Sequence, residues 1–177
     1  RRRECALIDR CTARLVRDSA WRDQGAGVNP DLGSHLLDTC RFWFGDAVKD
    51  FKLVTANRFE NRAPDHAIIA AEGQRPRIEL EMTLCMWRNH FTCDVLAEKG
   101  TAHIEGLCKW GPTTFRRRRR VLPSGMPPES AVTLVQEDPT WAAEYQHFKS
   151  LCERGAQTDL SNDLMIQRTL RRLGEAA

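Results

Sequence analysis

The sequence contains little that would place it in a specialised class. No apolar run approaches the roughly 20 residues of a membrane helix, and nothing resembles a signal peptide. A membrane partner is therefore not expected, and a soluble, cytoplasmic protein is the default. Charge of one sign is also scarce. With 27 Lys+Arg against 24 Asp+Glu, the net charge of +3 is too small to imply a polyanionic partner by itself. The seven cysteines (5, 11, 40, 85, 93, 108 and 152) are odd in number and form no Cys-x-x-Cys pair. Such a set reads as reduced, mostly buried thiols and not as a disulfide framework. No Gly-x-Gly-x-x-Gly fingerprint follows a strand, and no internal repeat or low-complexity linker interrupts the chain. The sequence opens on Arg1 without a methionine and reads as a fragment or a processed product.

What is there suits one domain of 177 residues with a real core. An opening strand is expected within residues 5–17, and a helix over Asp31–Phe44. In that helix Leu36, Leu37, Cys40 and Phe44 share a face, and Gly45 closes it. A long β region follows: 51–55, 66–70, 78–86, 89–96, 101–107, 113–122 and 131–136. Ile78, Leu80, Met82 and Leu84 alternate with polar residues, the period of a half-buried strand. Two helices close the chain. The first is capped by Asp138 and carries Trp141, Tyr145, Phe148 and Leu151 on a stripe expected to face the core. The second runs from about 159 to 173. These elements predict an α+β fold: an open, mostly antiparallel or mixed β-sheet with helices packed on one face. The sheet's other face is left for solvent, substrate or a partner.

The segment richest in chemistry is Gly25-Ala26-Gly27-Val28-Asn29-Pro30-Asp31-Leu32-Gly33-Ser34-His35. Asp31 and His35 stand four residues apart, on one face of a helix's first turn. A helix N-terminus disfavours positive charge, so the imidazole there tends toward the neutral form that accepts a proton. A carboxylate beside it fixes its tautomer or bonds a substrate hydroxyl. The glycines let a substrate approach the backbone closely. Spacing alone also permits a plainer reading, in which Asp31 caps the helix and His35 is an ordinary histidine.

The whole string resembles the opening of the second domain in the glucose–fructose oxidoreductase, inositol dehydrogenase and MocA family. There a glycine pair precedes Asp-x-Gly-x-His-x-x-Asp, matched here by Gly25, Gly27, Val28, Asp31, Gly33, His35 and Asp38. Trp21-Arg22 before the glycines, Arg41-Phe42-Trp43-Phe44-Gly45 after the helix and the Glu98-Lys99-Gly100 turn agree with it. Ala26 inside the glycine stretch and Asn29-Pro30 before the aspartate depart from the pattern. The resemblance implies a C-terminal substrate domain whose Rossmann partner binds NAD or NADP. It further implies hydride transfer with a sugar, polyol or related derivative. His35 would be the acid/base or its close partner, and Asp31 would orient it or the substrate. The family's Glu-Lys-Pro lysine has no counterpart in the sequence, so this chain alone is expected to be inactive. A homo-oligomer through the sheet face also follows from the resemblance. The alternative is a non-catalytic binding or assembly domain on the same scaffold.

Trp21, Arg22, Asn29, Arg88, Lys109 and Trp110 are the candidate substrate-binding residues, since aromatic faces beside hydrogen-bonding side chains suit a sugar ring. Trp87-Arg88-Asn89-His90 is expected between two strands, and Cys108-Lys109-Trp110-Gly111-Pro112 at the end of another. The run Arg116–Arg120 would split between two faces of a strand. It reads as a charged edge or interface rim before a ligand site, and no recognition helix accompanies it to suggest nucleic acid. Cys85, His90 and Cys93 match no ordinary zinc spacing, so no metal is expected. Cys40 is read as packing.

Overall fold

The computed structural model describes residues 6–14, 27–45, 49–73 and 75–176; for 6–14 and Trp87 the backbone alone is considered. β1 (Ala6–Arg14) comes first. A π-helical turn (Asn29–Gly33) then runs without a break into α1 (Ser34–Phe44). Next are β2 (Lys52–Asn57), β3 (His66–Ala71), β4 (Arg77–Thr83), β5 (Cys85–Ala97) and β6 (Gly100–Glu105). A 3-10 turn (Cys108–Trp110), β7 (Thr113–Arg119), β8 (Glu129–Leu134), α2 (Thr140–Arg154) and α3 (Ser161–Glu175) complete the chain. The eight strands form one mixed sheet in the order β2-β3-β4-β1-β5-β6-β7-β8. β1 runs parallel to β4, and every other pair is antiparallel. The α+β architecture expected from the sequence is the one observed.

Alternation decides which face is buried. Ala67, Ile69 and Ala71 of β3, Ile78, Leu80 and Met82 of β4, and Phe91 and Cys93 of β5 line one side of the sheet. Leu36, Leu37 and Cys40 of α1 and Ile166 and Leu173 of α3 pack onto that side. Each such aliphatic side chain contributes about 1.5–3 kcal/mol on burial. Cys40, 1% exposed, is a packing residue. Gly45 closes α1 at φ 61°, donating its N–H to the Arg41 carbonyl. Among the described residues no helix is long and apolar enough to cross a membrane.

Three expectations are corrected. First, the strand expected over 78–86 stops at Thr83. Met82, Thr83 and Leu84 are all buried, which breaks the alternation, and the Leu84 N–H leaves the ladder for the Asp65 carbonyl. Arg88, Asn89 and His90 then lie inside β5 and not between strands. Pairing with β1 jumps there from His90 opposite Thr12 to Cys85 opposite Arg14, and this irregularity absorbs the extra residues. Second, β7 is not an edge, because β8 covers it. Arg116 and Arg118 pair in register with His103 and Thr101 on the open face, where Arg116 meets Glu105 and Arg118 meets Glu129. Third, the α2 stripe does not face the core. Trp141, Tyr145 and Phe148 are 75%, 67% and 60% exposed, and α2 buries no residue. Helical spacing shows that an apolar face exists but not what it meets, and α3, not α2, covers the core. Trp141→Ser is therefore expected to change this chain's stability by about 0.5 kcal/mol at most. Urea denaturation reads this directly, whereas a core tryptophan would cost about 3–5 kcal/mol.

Candidate active site

The segment carrying Asp31 and His35 is seated by a polar latch. The Asp65 side chain is fully buried and accepts the backbone N–H groups of Phe59, Glu60 and Asn61 and the Asn61 side-chain amide. Burial pushes its carboxyl up, but these donors together outweigh that and hold it below the ordinary carboxylate value. The Asp65 carbonyl takes the Leu84 N–H at 2.7 Å and the Thr83 hydroxyl at 3.3 Å, so the 58–64 loop is fixed to the end of β4. Pro64, its neighbour, accepts the Val28 N–H at 2.8 Å and so anchors the entry to the helix.

Gly27 makes that approach possible. Its φ is 62°, and a Cβ there would lie 2.7 Å from the Pro64 carbonyl oxygen. Gly27→Ala combines a left-handed backbone with a backbone clash and is expected to cost about 1–3 kcal/mol. Thermal unfolding compared with the parent chain would show it.

The helix starts earlier than the sequence suggests. Val28 is its N-cap, and Asp31 lies within the first turn and is not the cap. Pro30 is tolerated there because a first-turn N–H has no intrahelical partner. Gly33 brings the turn down onto the sheet: a Cβ would stand 3.1 Å from Met82 Sδ and 3.2 Å from Leu170 Cδ2. Asn29 is 4% exposed, and its side-chain oxygen has no hydrogen-bond partner among the described residues. Asp31 is half-buried and His35 exposed, one turn further along. The Ser34 hydroxyl bonds the Asp31 carbonyl at 3.0 Å, and the Thr39 hydroxyl bonds the His35 carbonyl at 2.8 Å. The turn therefore presents a carboxylate close to the surface and an imidazole at it, on a scaffold fixed from beneath.

A second group gathers at the same end of the sheet, where β1, β4 and β6 finish and β5 and β7 begin. Arg88 and Trp110 line one pocket of about 340 Å³ together with Asn89, His90 and Glu105. Lys109 places its ammonium 4.9 Å from the Trp110 ring centroid. Arg88 and Trp110, far apart in sequence, are thus brought together. Trp21 and Arg22, and the glycine position Gly25, lie outside the described residues. The sequence reading missed Asp65, whose only local signal is a Pro-Asp step after a polar loop. It also missed the open-face chain in which the His103 imidazole bridges Asp94 and Thr101, with Arg118 3.4 Å from the same ring. Alternation of Thr101 and His103 hints at that chain, but Asp94 joins it only through strand register. Burial pushes the Cys85 thiol up, which works against a thiolate ligand there.

The sequence profile of the GFO/IDH/MocA C-terminal domain matches residues 8–103, more than half of the chain. The chain belongs to this family. No curated protein matches the sequence. Among solved structures, this GFO/IDH/MocA domain superposes on UDP-N-acetylglucosamine 3-dehydrogenase GnnA from Acidithiobacillus ferrooxidans with a TM-score of 0.75 at 17% identity. That match covers 97% of this chain and 54% of GnnA. An oxidoreductase from Desulfitobacterium hafniense, titled as NADPH-dependent, aligns at TM-score 0.70 and 13% identity over 97% of this chain and 55% of its own. A dehydrogenase from Chromobacterium violaceum aligns at 0.63 and 14% over 97% and 52%. Similarity at this level shows the shared fold. The chain spans about half the length of these structures.

A dinucleotide does not fit at Gly27 or Gly33. Close backbone approach at Gly27 is taken by Pro64, and at Gly33 by Met82 and Leu170, so protein fills the space a pyrophosphate would need. The GFO/IDH/MocA domain is an oxidoreductase-family domain.

Proposed function

We propose that this domain is the substrate side of a nicotinamide-dependent oxidoreductase acting on a carbinol carbon of a sugar, polyol or related derivative. NAD or NADP, held by the rest of the protein, would accept or return the hydride. The observation that carries the reading is the Asp31–His35 turn. An exposed imidazole follows a half-buried carboxylate on a helix start anchored from beneath by Gly27, Gly33 and the Asp65 latch.

In this reading His35 removes the hydroxyl proton as the carbinol is oxidised and returns it in reduction. Asp31 orients the imidazole or bonds a neighbouring hydroxyl. Asn29, buried on the same turn with its side-chain oxygen unpartnered among the described residues, would turn outward to bond a substrate hydroxyl. Arg88, Lys109 and Trp110 form a second set of contacts at the same end of the sheet. The test is turnover of the full-length protein with a panel of sugars and polyols, followed by absorbance of reduced nicotinamide. Failure of the complete protein to bind or reduce nicotinamide would sink the reading.

A second reading, an assembly domain, draws on the exposed apolar surface of α2 and β8, where Trp141, Phe148, Val132 and Leu134 are all more than half exposed. This second reading is of a non-catalytic domain, and a complete protein that assembles but neither binds nor reduces nicotinamide would favour it. A homo-oligomer is proposed through the open sheet face, and sedimentation as a monomer at high concentration would count against it.

A further inference from the structure

The pocket beside Arg88 has two unlike halves. Met86, Leu107, Trp110 and Pro112 supply apolar surface, while Arg88, Asn89 and His90 supply hydrogen-bonding groups. Its volume of about 340 Å³ lies at the small end of ligand sites. One apolar side and one polar edge match a pyranose or furanose ring, whose C–H face packs on an aromatic and whose hydroxyls point outward.

Charge narrows the choice further. The pocket's one carboxylate, Glu105, is engaged by Arg116 at 3.7 Å across the strand pair. Arg88 has no carboxylate partner among the described residues, in contrast to Arg77, Arg116, Arg118 and Arg171. The Lys109 ammonium sits over the Trp110 ring on the neighbouring turn, which adds positive potential at the same place. Lys109 also faces the Asp138 carboxylate, which leaves Arg88 as the pocket's cation without an acidic partner among the described residues. This favours a ligand bearing an oxyanion, since guanidinium binds carboxylate and phosphate by paired hydrogen bonds. Arg88 reaches this position only because it belongs to β5, whose irregular pairing with β1 lies at this end of the strand.

We propose that this pocket takes a sugar ring carrying an oxyanion, with Arg88 binding the anionic group and so setting substrate specificity. The proposal rests on the oxidoreductase reading and names the substrate class for it. The anionic group is a specificity handle and takes no part in hydride or proton movement. The same oxyanion chemistry is offered by a carboxylate, as in a uronic acid, and by a phosphate ester.

The experiment uses the full-length protein, its R88Q and R88K variants, and three probes: glucose, glucuronate and glucose 6-phosphate. Nicotinamide reduction gives kcat and KM, and titration calorimetry gives binding without turnover. The expected result is that one anionic probe is preferred over glucose at least tenfold in kcat/KM. R88Q should raise the KM for that probe on the order of 30-fold with kcat within about threefold, and R88K should restore part of the loss. The loss should be selective: R88Q should lower kcat/KM for the preferred anionic probe at least tenfold more than for glucose. Preference for glucuronate identifies a carboxylate, and preference for glucose 6-phosphate a phosphate. Equal use of all three probes, or an R88Q loss shared equally by glucose, would overturn the proposal while leaving the oxidoreductase reading intact. If nicotinamide is not reduced at all, that reading fails separately. Calorimetry still decides the pocket then: Arg88-dependent binding of an anionic probe supports it, and binding unaltered or absent in every variant overturns it.

Discussion

His35→Ala in the complete protein is expected to lower kcat for nicotinamide reduction by about 10²–10⁴-fold, the usual contribution of a positioned general base. KM should change far less, because an exposed imidazole that moves a proton contributes mainly in the transition state. Stability should be nearly unaltered for the same reason: His35 is exposed in α1, and alanine is a good helix residue. Unchanged thermal unfolding with collapsed kcat is thus the signature of a catalytic histidine. A loss of both would mark a structural one. An unchanged kcat would remove His35 from the mechanism. Asp31→Asn should fall between these limits, keeping the shape of the turn while weakening the orienting charge.

The largest effect on folding is expected at Asp65. Asp65→Ala would leave three backbone N–H groups of the 59–61 loop without their acceptor and open a hole beneath Pro64. Orphaned buried donors cost about 1–3 kcal/mol each when water cannot reach them. The loop is partly exposed, so the whole loss is set at about 3 kcal/mol, or roughly 6–12 °C in Tm for a chain of this size. Asp65→Asn keeps the shape but turns an amide donor toward donors and should recover little.

The latch also sets a pH dependence. Its carboxyl lies below the ordinary value when folded, so the unfolded chain binds the proton first. The stability it supplies is complete above the unfolded value near 3.9 and is lost as pH falls from there through the lower folded value. Wild type and Asp65→Asn should therefore differ most near neutral pH and converge in acid. Urea midpoints measured between about pH 7 and pH 2.5 would show this, and a difference independent of pH would rule out the charge as the stabilising element. Because Pro64 anchors Val28, the same substitution should loosen the Asp31–His35 turn and lower activity as well as stability.

Much of this molecule is written in local pattern. Ile78, Leu80 and Met82 announce a half-buried strand by alternation alone, and Leu36, Leu37 and Cys40 announce the buried face of α1 by helical spacing. Gly45 announces where that helix ends. Gly25, Gly27, Val28, Asp31, Gly33, His35 and Asp38 carry the resemblance to the family within one short segment of sequence. The sequence therefore determined the fold class, the family and the segment where chemistry is expected.

Partnership was decided by tertiary structure. Trp141, Tyr145 and Phe148 form a correct helical stripe, yet they face outward, since periodicity defines a face and packing chooses its neighbour. Arg118 reads as one of five charges until strand register sets it beside His103 and Glu129. Asp65 is ordinary in sequence and becomes the latch only when the 59–61 amides close around it. Arg88 and Trp110 share a pocket because β5 begins, and the turn after β6 lies, at the same end of the sheet. In each case the deciding quantity is which atoms lie within bonding distance across long stretches of chain, and local propensity does not encode that distance.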